Sequence, residues 1–260
     1  RYFNKFKRSI NREKTVDKFS NDLDYINQFE YKITSQNNED GIIEYIFSKI
    51  PNNKTFVEIG FSFYENNTLN LIKNGWNGTL IDLHTKENIL YKRFVNFFFP
   101  KSAIKVLTER ITKDNINSIL EKNLHVSDVD FFSLDVDGND YWIIEKMSLQ
   151  NFKCICLEYN HWIGNEVKKS IPYDEKFKFQ DNGFFGASLL AFHDLLKKKG
   201  FNLVAIDSSG TNAFFVNKKY SSFFEILDPV KSFKSSPYLY SDEKKKEIKS
   251  KIKTHNFVDV

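Results

Sequence analysis

The chain reads as an α/β fold: a seven-stranded, mostly parallel sheet with helices on both faces, closed by an antiparallel hairpin and extended by N- and C-terminal helices. Three observations predict this. Five short apolar runs alternate with helical patterns between residues 55 and 158, which implies parallel strands joined by right-handed crossovers. Four of those five runs end directly in an acid, at Glu58, Asp82, Asp135 and Glu158. Two further runs, Phe201–Ile206 and Asn212–Val216, are separated by a Ser-Ser-Gly turn at Ser208–Gly210, as a terminal hairpin would be.

The elements follow in order. Residues 1–30 are polar with scattered apolar positions and read as one or two loosely packed helices. Ser35 with Glu39 marks a helix start, and Ile42, Ile43, Ile46 and Phe47 give it an apolar stripe ending at Pro51–Asn53. Thr55–Ile59 is a strand, Asn67–Lys73 a helix, Thr79–Leu83 a strand and Lys86–Phe97 a helix. Ala103–Leu107 is a strand. Thr112–Glu121 is a helix capped by Thr112 or Asp114. Val129–Asp135 is a strand, Asp140–Met147 a helix and Cys154–Glu158 a strand. His161–Gly186 is an irregular insertion rich in Tyr, Phe and Lys. Ala187–Lys199 is a helix closed by Gly200. The expected division is an N-terminal helical segment (1–50), a main domain (51–217, with insertion 161–186 for substrate selection) and a C-terminal helical appendage (218–260).

Composition is that of a globular chain. Of 260 residues, 41% are hydrophobic and 28% charged, and 27 Phe carry most of the aromatic content. The net charge of +4 is concentrated in residues 1–14 and in Lys244–Lys253. The second stretch reads as a solvated helix face. No interleaved basic and aromatic platform suggests nucleic acid. No run reaches the ~18 apolar residues of a membrane span, and no signal-peptide pattern is present. Cys154 and Cys156 share one face of a strand and read as buried small hydrophobes. A reducing, cytoplasmic location is therefore the default. The chain begins at Arg1 rather than Met, so a longer natural N-terminus is entertained.

Ligands of open α/β sheets bind outside the C-terminal strand ends. Candidate site residues are therefore Glu58 and Gly60, Asp82, Thr108 and Glu109, Asp135–Asp140, and Glu158–His161. In TFVEIG (Thr55–Gly60), the glycine lets the chain turn close to a ligand. In GTLID (Gly78–Asp82), the carboxylate at the next tip suits ribose hydroxyls. SLDVDGND (Ser133–Asp140) also resembles the nucleophile loop of haloacid dehalogenase-type phosphatases, in which Asp135 would attack phosphorus and Asp137 act as acid/base. Against that stand its mid-chain position, Asn139 where that family has Thr, and the absence of a downstream magnesium motif.

The fuller resemblance is to FkbM-like and related S-adenosylmethionine methyltransferases of the Rossmann-like class I. It is carried by SQNNEDGIIEYIF (35–47), FVEIG (56–60), GWNGTLID (75–82), SLDVDGNDYWI (133–143), LEYN (157–160) and GTNAFFV (210–216), spanning roughly residues 33–217. The loop after Glu58 departs from the family in lacking a second glycine.

The resemblance implies that Glu58 and Gly60 line the methionine part of S-adenosylmethionine and Asp82 the ribose. Thr108 and Gln36 also touch cofactor, Gln36 with Glu39 and Asp40 folding over it. Asp135 sits beside the sulfonium and acceptor. Asp135, Asp137, Glu158 and Asn160 are oxygen donors suited to Mg2+. His161 is the leading proton acceptor, with Asp135 as alternative. His84 touches cofactor or solvent, His193 is structural, and Tyr173 and Lys168 contact a sugar or anionic group. The expected activity is O-methylation of a saccharide, nucleotide-sugar or other small-molecule hydroxyl, in a bacterial surface-polysaccharide setting. No nucleic-acid partner is expected, and a homodimer is left open. Two alternatives stay open: a degenerate methyltransferase fold serving as a binding or scaffold protein, and the Asp-dependent phosphatase.

Overall fold

Five apolar runs become five parallel strands, and the central three are buried on both faces and must be covered twice. The computed structural model describes residues 13–17, 24–64, 66–124, 128–235 and 240–260. The expected helices of residues 1–30 lie outside these except for a 3-10 helix at Tyr25–Phe29, and most of the basic N-terminal stretch lies outside them too.

In chain order the elements are α1 (Glu39–Lys49), β1 (Thr55–Ile59), α2 (Leu69–Lys73), β2 (Asn77–Asp82), α3 (Thr85–Phe98), β3 (Ile104–Thr108), α4 (Ile116–Asn123), β4 (Val129–Leu134) and α5 (Asp140–Lys146). There follow β5 (Phe152–Glu158), β6 (Lys169–Ser170), α6 (Leu189–Lys198), β7 (Phe201–Ile206), β8 (Asn212–Asn217), α7 (Asp242–Ile252) and β9 (Val258–Asp259). The seven-stranded sheet has the order β3-β2-β1-β4-β5-β8-β7. β8 runs antiparallel to both β5 and β7, and the pairings from β3 across to β5 are parallel. This is the expected sheet with its closing hairpin.

The alternation of side chains along each strand divides the core into two layers. Val57, Ile59, Phe132, Leu134, Ile155 and Leu157 pack beneath α4, α5 and α6. Phe56, Leu80, Phe131, Cys154 and Cys156 pack beneath α1, α2 and α3. Both cysteines are buried and free. The chain crosses from β3 at the edge back to β4 beside β1, so β1 and β4 form the switch point where loops diverge and leave a crevice.

Element boundaries move for local reasons. α4 begins four residues after the expected Thr112, because Thr112 and Asn115 bond reciprocally. The Thr112 N–H donates to Asn115 Oδ1 (2.7 Å), and the Asn115 N–H donates to Thr112 Oγ1 (3.2 Å). Asp114 does not cap it. α1 starts at Glu39 behind Asn38, not at Ser35. Asp40 accepts the N–H groups of Ile33, Thr34 and Ser35 at 2.7, 2.7 and 3.0 Å, which folds the preceding segment against the helix. α2 starts at Leu69, whose N–H donates to Asn66 Oδ1 (2.7 Å).

The insertion is less irregular than its composition suggested. Its β6 pairs antiparallel with β9 near the C-terminus. α7 lies against it as well, since a Cβ on Gly183 would come 2.6 Å from Ile248. The outer face of α7 is a solvated ladder in which Lys245 pairs with Asp242 and Lys251 with Glu247. Among the described residues, no helix is long and apolar enough to cross a membrane.

Candidate functional site

The tips of β1, β2 and β4 are drawn together by two backbone bonds beyond the strands. Gly60 N–H donates to Ile81 O (2.9 Å), and Asp135 N–H donates to Ile59 O (2.9 Å). Gly60 has φ +75, and a Cβ there would lie 1.6 Å from the Asp135 carbonyl oxygen. Only glycine permits this approach. One glycine is enough for the close contact, so the missing second glycine leaves the tip-to-tip packing intact.

The crevice beyond these tips has two lobes. The first, about 170 Å3, has Ile59, Ile81, Leu83, Ile111, Val136 and Phe177 in its wall, with Glu109, Arg110, Asn139 and Glu175 at its polar rim. The second, about 340 Å3, is walled by Gln36, Glu58, Ser62, Asn66, Asn67, Glu87, Ser133 and Asn212 among others. Gly60, Asp82, His84, Asp135 and Asp137 line both and so form the waist between them.

Glu58 is buried at the β1 tip. It accepts the Asn67 N–H (2.9 Å) and the Thr68 hydroxyl. Burial nevertheless pushes it up to about 7. Asp82 Oδ1 accepts the His84 N–H at 2.7 Å and lies 2.7 Å from His84 Nδ1, which leaves Oδ2 free of protein partners among the described residues. Gln36 is exposed on the second lobe. Glu39 and Asp40 are buried and line neither lobe. Glu39 is held by Asn37 and by Asn212 Nδ2 (2.8 Å), and Asp40 by the segment before α1.

The β4 loop concentrates negative charge. Asp140, at the start of α5, accepts the N–H groups of Val136 and Gly138, both at 2.9 Å. This turn holds Asp137 at φ +58. Asp135, Asp137 and Glu158 bring one carboxylate oxygen each within 4.8 Å of the others. Burial, then the charges of Asp137 and Asp140, hold Asp135 well above the usual carboxylate range. Burial and Asp135 do the same to Glu158. Asp137 rises to about 6 through burial, Asp140 and Asp82. Asp135 Oδ1 is buried without a hydrogen-bond partner among the described residues.

Other expected site residues stand elsewhere. Asn160 is not available as an oxygen ligand. Its Oδ1 accepts the Trp162 N–H (3.0 Å), and its Nδ2 donates to the carbonyls of Gly183 and Phe185, both at 2.8 Å. Thr108 Oγ1 accepts from Asn88 Nδ2 (3.0 Å), and the residues after it, Glu109–Thr112, form the cleft wall instead. His161 lies on a 3-10 helix (His161–Ile163) outside the walls of both lobes, with its ring 4.7 Å from that of Trp162. Burial lowers it to about 4, and its Nε2 has no partner. Lys168 is paired with Asp194, and Tyr173 stacks beneath Lys113 Nζ at 4.2 Å. His193 is half-buried beside Asp194 on α6.

Sequence reasoning missed the roof of the first lobe. Phe177 of the insertion stands over Gly138, where a Cβ would come 2.4 Å from its ring. Asn139 Nδ2 donates to Asp174 O (2.8 Å), its Oδ1 accepts the Asp174 N–H (3.3 Å), and Arg110 donates to Glu175 O (3.2 Å). The Gly138-Asn139 pair is the one sequence signal that pointed here. It serves to dock the insertion.

No family model matches the chain, and no curated protein does. Among solved structures, the chain is similar to the N-terminal domain of EvdMO1 with SAH bound, at 11% identity over 84% of this chain and 96% of that one, with a TM-score of 0.46. Magnesium protoporphyrin IX methyltransferase (ChlM) from Synechocystis PCC 6803 with bound SAH is 11% identical over 83% of this chain and 94% of that one, TM-score 0.47. An O-methyltransferase from Bacillus cereus in complex with SAH is 15% identical over 64% and 74%, TM-score 0.40.

Proposed function

We propose that this chain is an S-adenosylmethionine-dependent methyltransferase of the FkbM-like kind. Its acceptor is a hydroxyl of a saccharide, nucleotide-sugar or other small molecule, in the assembly of a bacterial surface polysaccharide. The observation that supports this most is the two-lobed cleft with Asp82 at its waist. The cofactor has a flat base, a ribose diol and a charged amino-acid tail, in that order. The apolar walls of the first lobe suit the base. Asp82, with one carboxylate oxygen free, suits the diol at the junction. In the second lobe, Gln36 offers an amide donor to a carboxylate, while Glu58 and Asp135 face the ammonium and sulfonium. Among the described residues that lobe has no Lys or Arg in its wall, so it favours a cation over a phosphoester.

When bound, the cofactor supplies a methyl group made electrophilic by its sulfonium. The protein's part is alignment, exclusion of water and removal of a proton. Asp135 is assigned the proton from the acceptor hydroxyl, because it lines both lobes and its Oδ1 has no partner. His161 takes the lesser place, shaping the acceptor side with Trp162 and Tyr240, whose rings are 5.3 Å apart. Asp135, Asp137 and Glu158 would also suit Mg2+: three carboxylates converge and one oxygen is unpartnered. Such an ion would lower the pKa of an acceptor hydroxyl, with Asp135 then acting as its ligand.

Replacing Asp82 with Ala tests the cofactor assignment. Each hydrogen bond to a charged group is worth about 1.5–3 kcal/mol, so the dissociation constant for S-adenosylhomocysteine should rise about tenfold or more, with the melting temperature kept. Unchanged affinity would remove Asp82 from the cofactor site.

A further inference from the structure

At the end of the sheet opposite the cleft lies a groove of about 360 Å3, within the ~300–1,000 Å3 range of small-molecule sites. It exists because α4 is short. This helix ends at Asn123, and Leu124 is already extended (φ -89, ψ 120). The start of β3, at the edge of the sheet, is also partly uncovered, with Ile104, Lys105, Val106 and Leu107 all half-buried. On the floor Gly78 contributes only backbone, and the Phe56 ring takes up the room of a side chain, 2.6 Å from where a Cβ would stand. Ala103, Ile104 and Leu124 add apolar surface, with Thr55, Asn77, Thr79 and Asn123 set among it.

Two residues of the described lining are charged, and both are cations: Lys92 from α3 and Lys105 from β3. No acid lines the groove among the described residues, in contrast to the cleft at the other end. Neither lysine enters an ion pair with a described residue, although most cationic side chains that contact acids here do so at close range. Lysine stems lie well along apolar surface while the ammonium stays in water. A groove of this kind takes an apolar chain along its floor and an anionic head at its rim.

We propose that this groove is a binding site for a single-chain amphiphilic anion, of the fatty carboxylate class. The mostly apolar floor takes the chain, and the two ammonium groups, in no ion pair with a described residue, select the sign of the head.

The test is calorimetric titration of the whole chain with dodecanoate and with dodecyltrimethylammonium, both below their micelle-forming concentrations. Three proteins are compared: wild type, the double variant Lys92→Gln/Lys105→Gln, and Ala103→Trp, which fills the groove from an exposed position. Circular dichroism melting confirms that each is folded. Dodecanoate should bind one per chain. The double variant should bind it about tenfold more weakly, the size of two exposed ion pairs, and Ala103→Trp should lose it. The cationic amphiphile should bind at least about tenfold more weakly than dodecanoate. Absence of dodecanoate binding, equal binding of the two amphiphiles, or unchanged binding in Ala103→Trp would overturn the proposal. So would a concentration-dependent dimer abolished by Ala103→Trp without dodecanoate binding, which would assign the groove to a second copy of the chain.

Discussion

Glu58 shows how much a single buried carboxylate can couple the site to pH. Its ordinary value of 4.5 rises to about 7 in the fold because burial disfavours the charge more than Asn67 and Thr68 favour it. The folded state therefore holds a proton that the unfolded chain has released. This stability is present below pH 4.5 and is lost as pH rises through 7. His161 works in the opposite direction between pH 4 and 6.5, since its folded value is lowered, and Asp135, Asp137 and Glu158 are raised as Glu58 is, so the bare stability curve mixes them all. A comparison with Glu58→Gln isolates the carboxylate. Relative to wild type, the variant should gain roughly 2.5 kcal/mol of stability between pH 5 and pH 8, since each tenfold change in proton affinity is worth about 1.4 kcal/mol and part of the effect falls below pH 5. Urea melts at the two pH values measure it. A difference that does not change with pH would mean that Glu58 is charged in the fold throughout. At this scale the sequence was partly legible. An acid at a strand tip is visible in the letters, and so is Gly60 beside it. The partners that occupy an acid are not visible. Asn160 looked like a ligand because of its place after β5, yet three backbone groups consume its amide.

At the scale of elements, alternation of apolar runs located each sheet strand of the main domain to within two residues, because buried parallel strands cannot be written in any other pattern. Helix starts were less legible. They depend on which side chain bonds which N–H, as at Thr112 and Asn115, and several spacings satisfy that equally well. The insertion reads as irregular in sequence, since β6 has two residues and gains its partner from β9, nearly ninety positions later. Periodicity carries no trace of such a pairing. The roof of the first lobe belongs to this scale too. Asn139 makes two bonds to Asp174 and thereby ties the β4 loop to the insertion. Asn139→Ala should loosen that roof without touching the walls of the second lobe. Cofactor release should quicken by about tenfold, as the loss of one or two hydrogen bonds implies, while association is little altered. Stopped-flow displacement of S-adenosylhomocysteine reads both rates. An unchanged release rate would mean that the roof does not retain ligand.

For the molecule as a whole, the sheet order follows from topology that the sequence announces, and the position of the cleft follows from the sheet order. The chemistry of its walls does not follow from either. The acids of the waist lie on β2 and in the loop between β4 and α5, and only folding brings them against the amides of Gln36 and Asn67. The central claim is that this assembled cleft holds S-adenosylmethionine. Calorimetric titration with S-adenosylmethionine and S-adenosylhomocysteine, each with and without Mg2+, tests it most directly. The account predicts one site per chain for both, at micromolar affinity, about −8 kcal/mol, with Mg2+ heat appearing only while Asp135, Asp137 and Glu158 are intact. Absence of binding by either compound under both conditions would contradict it.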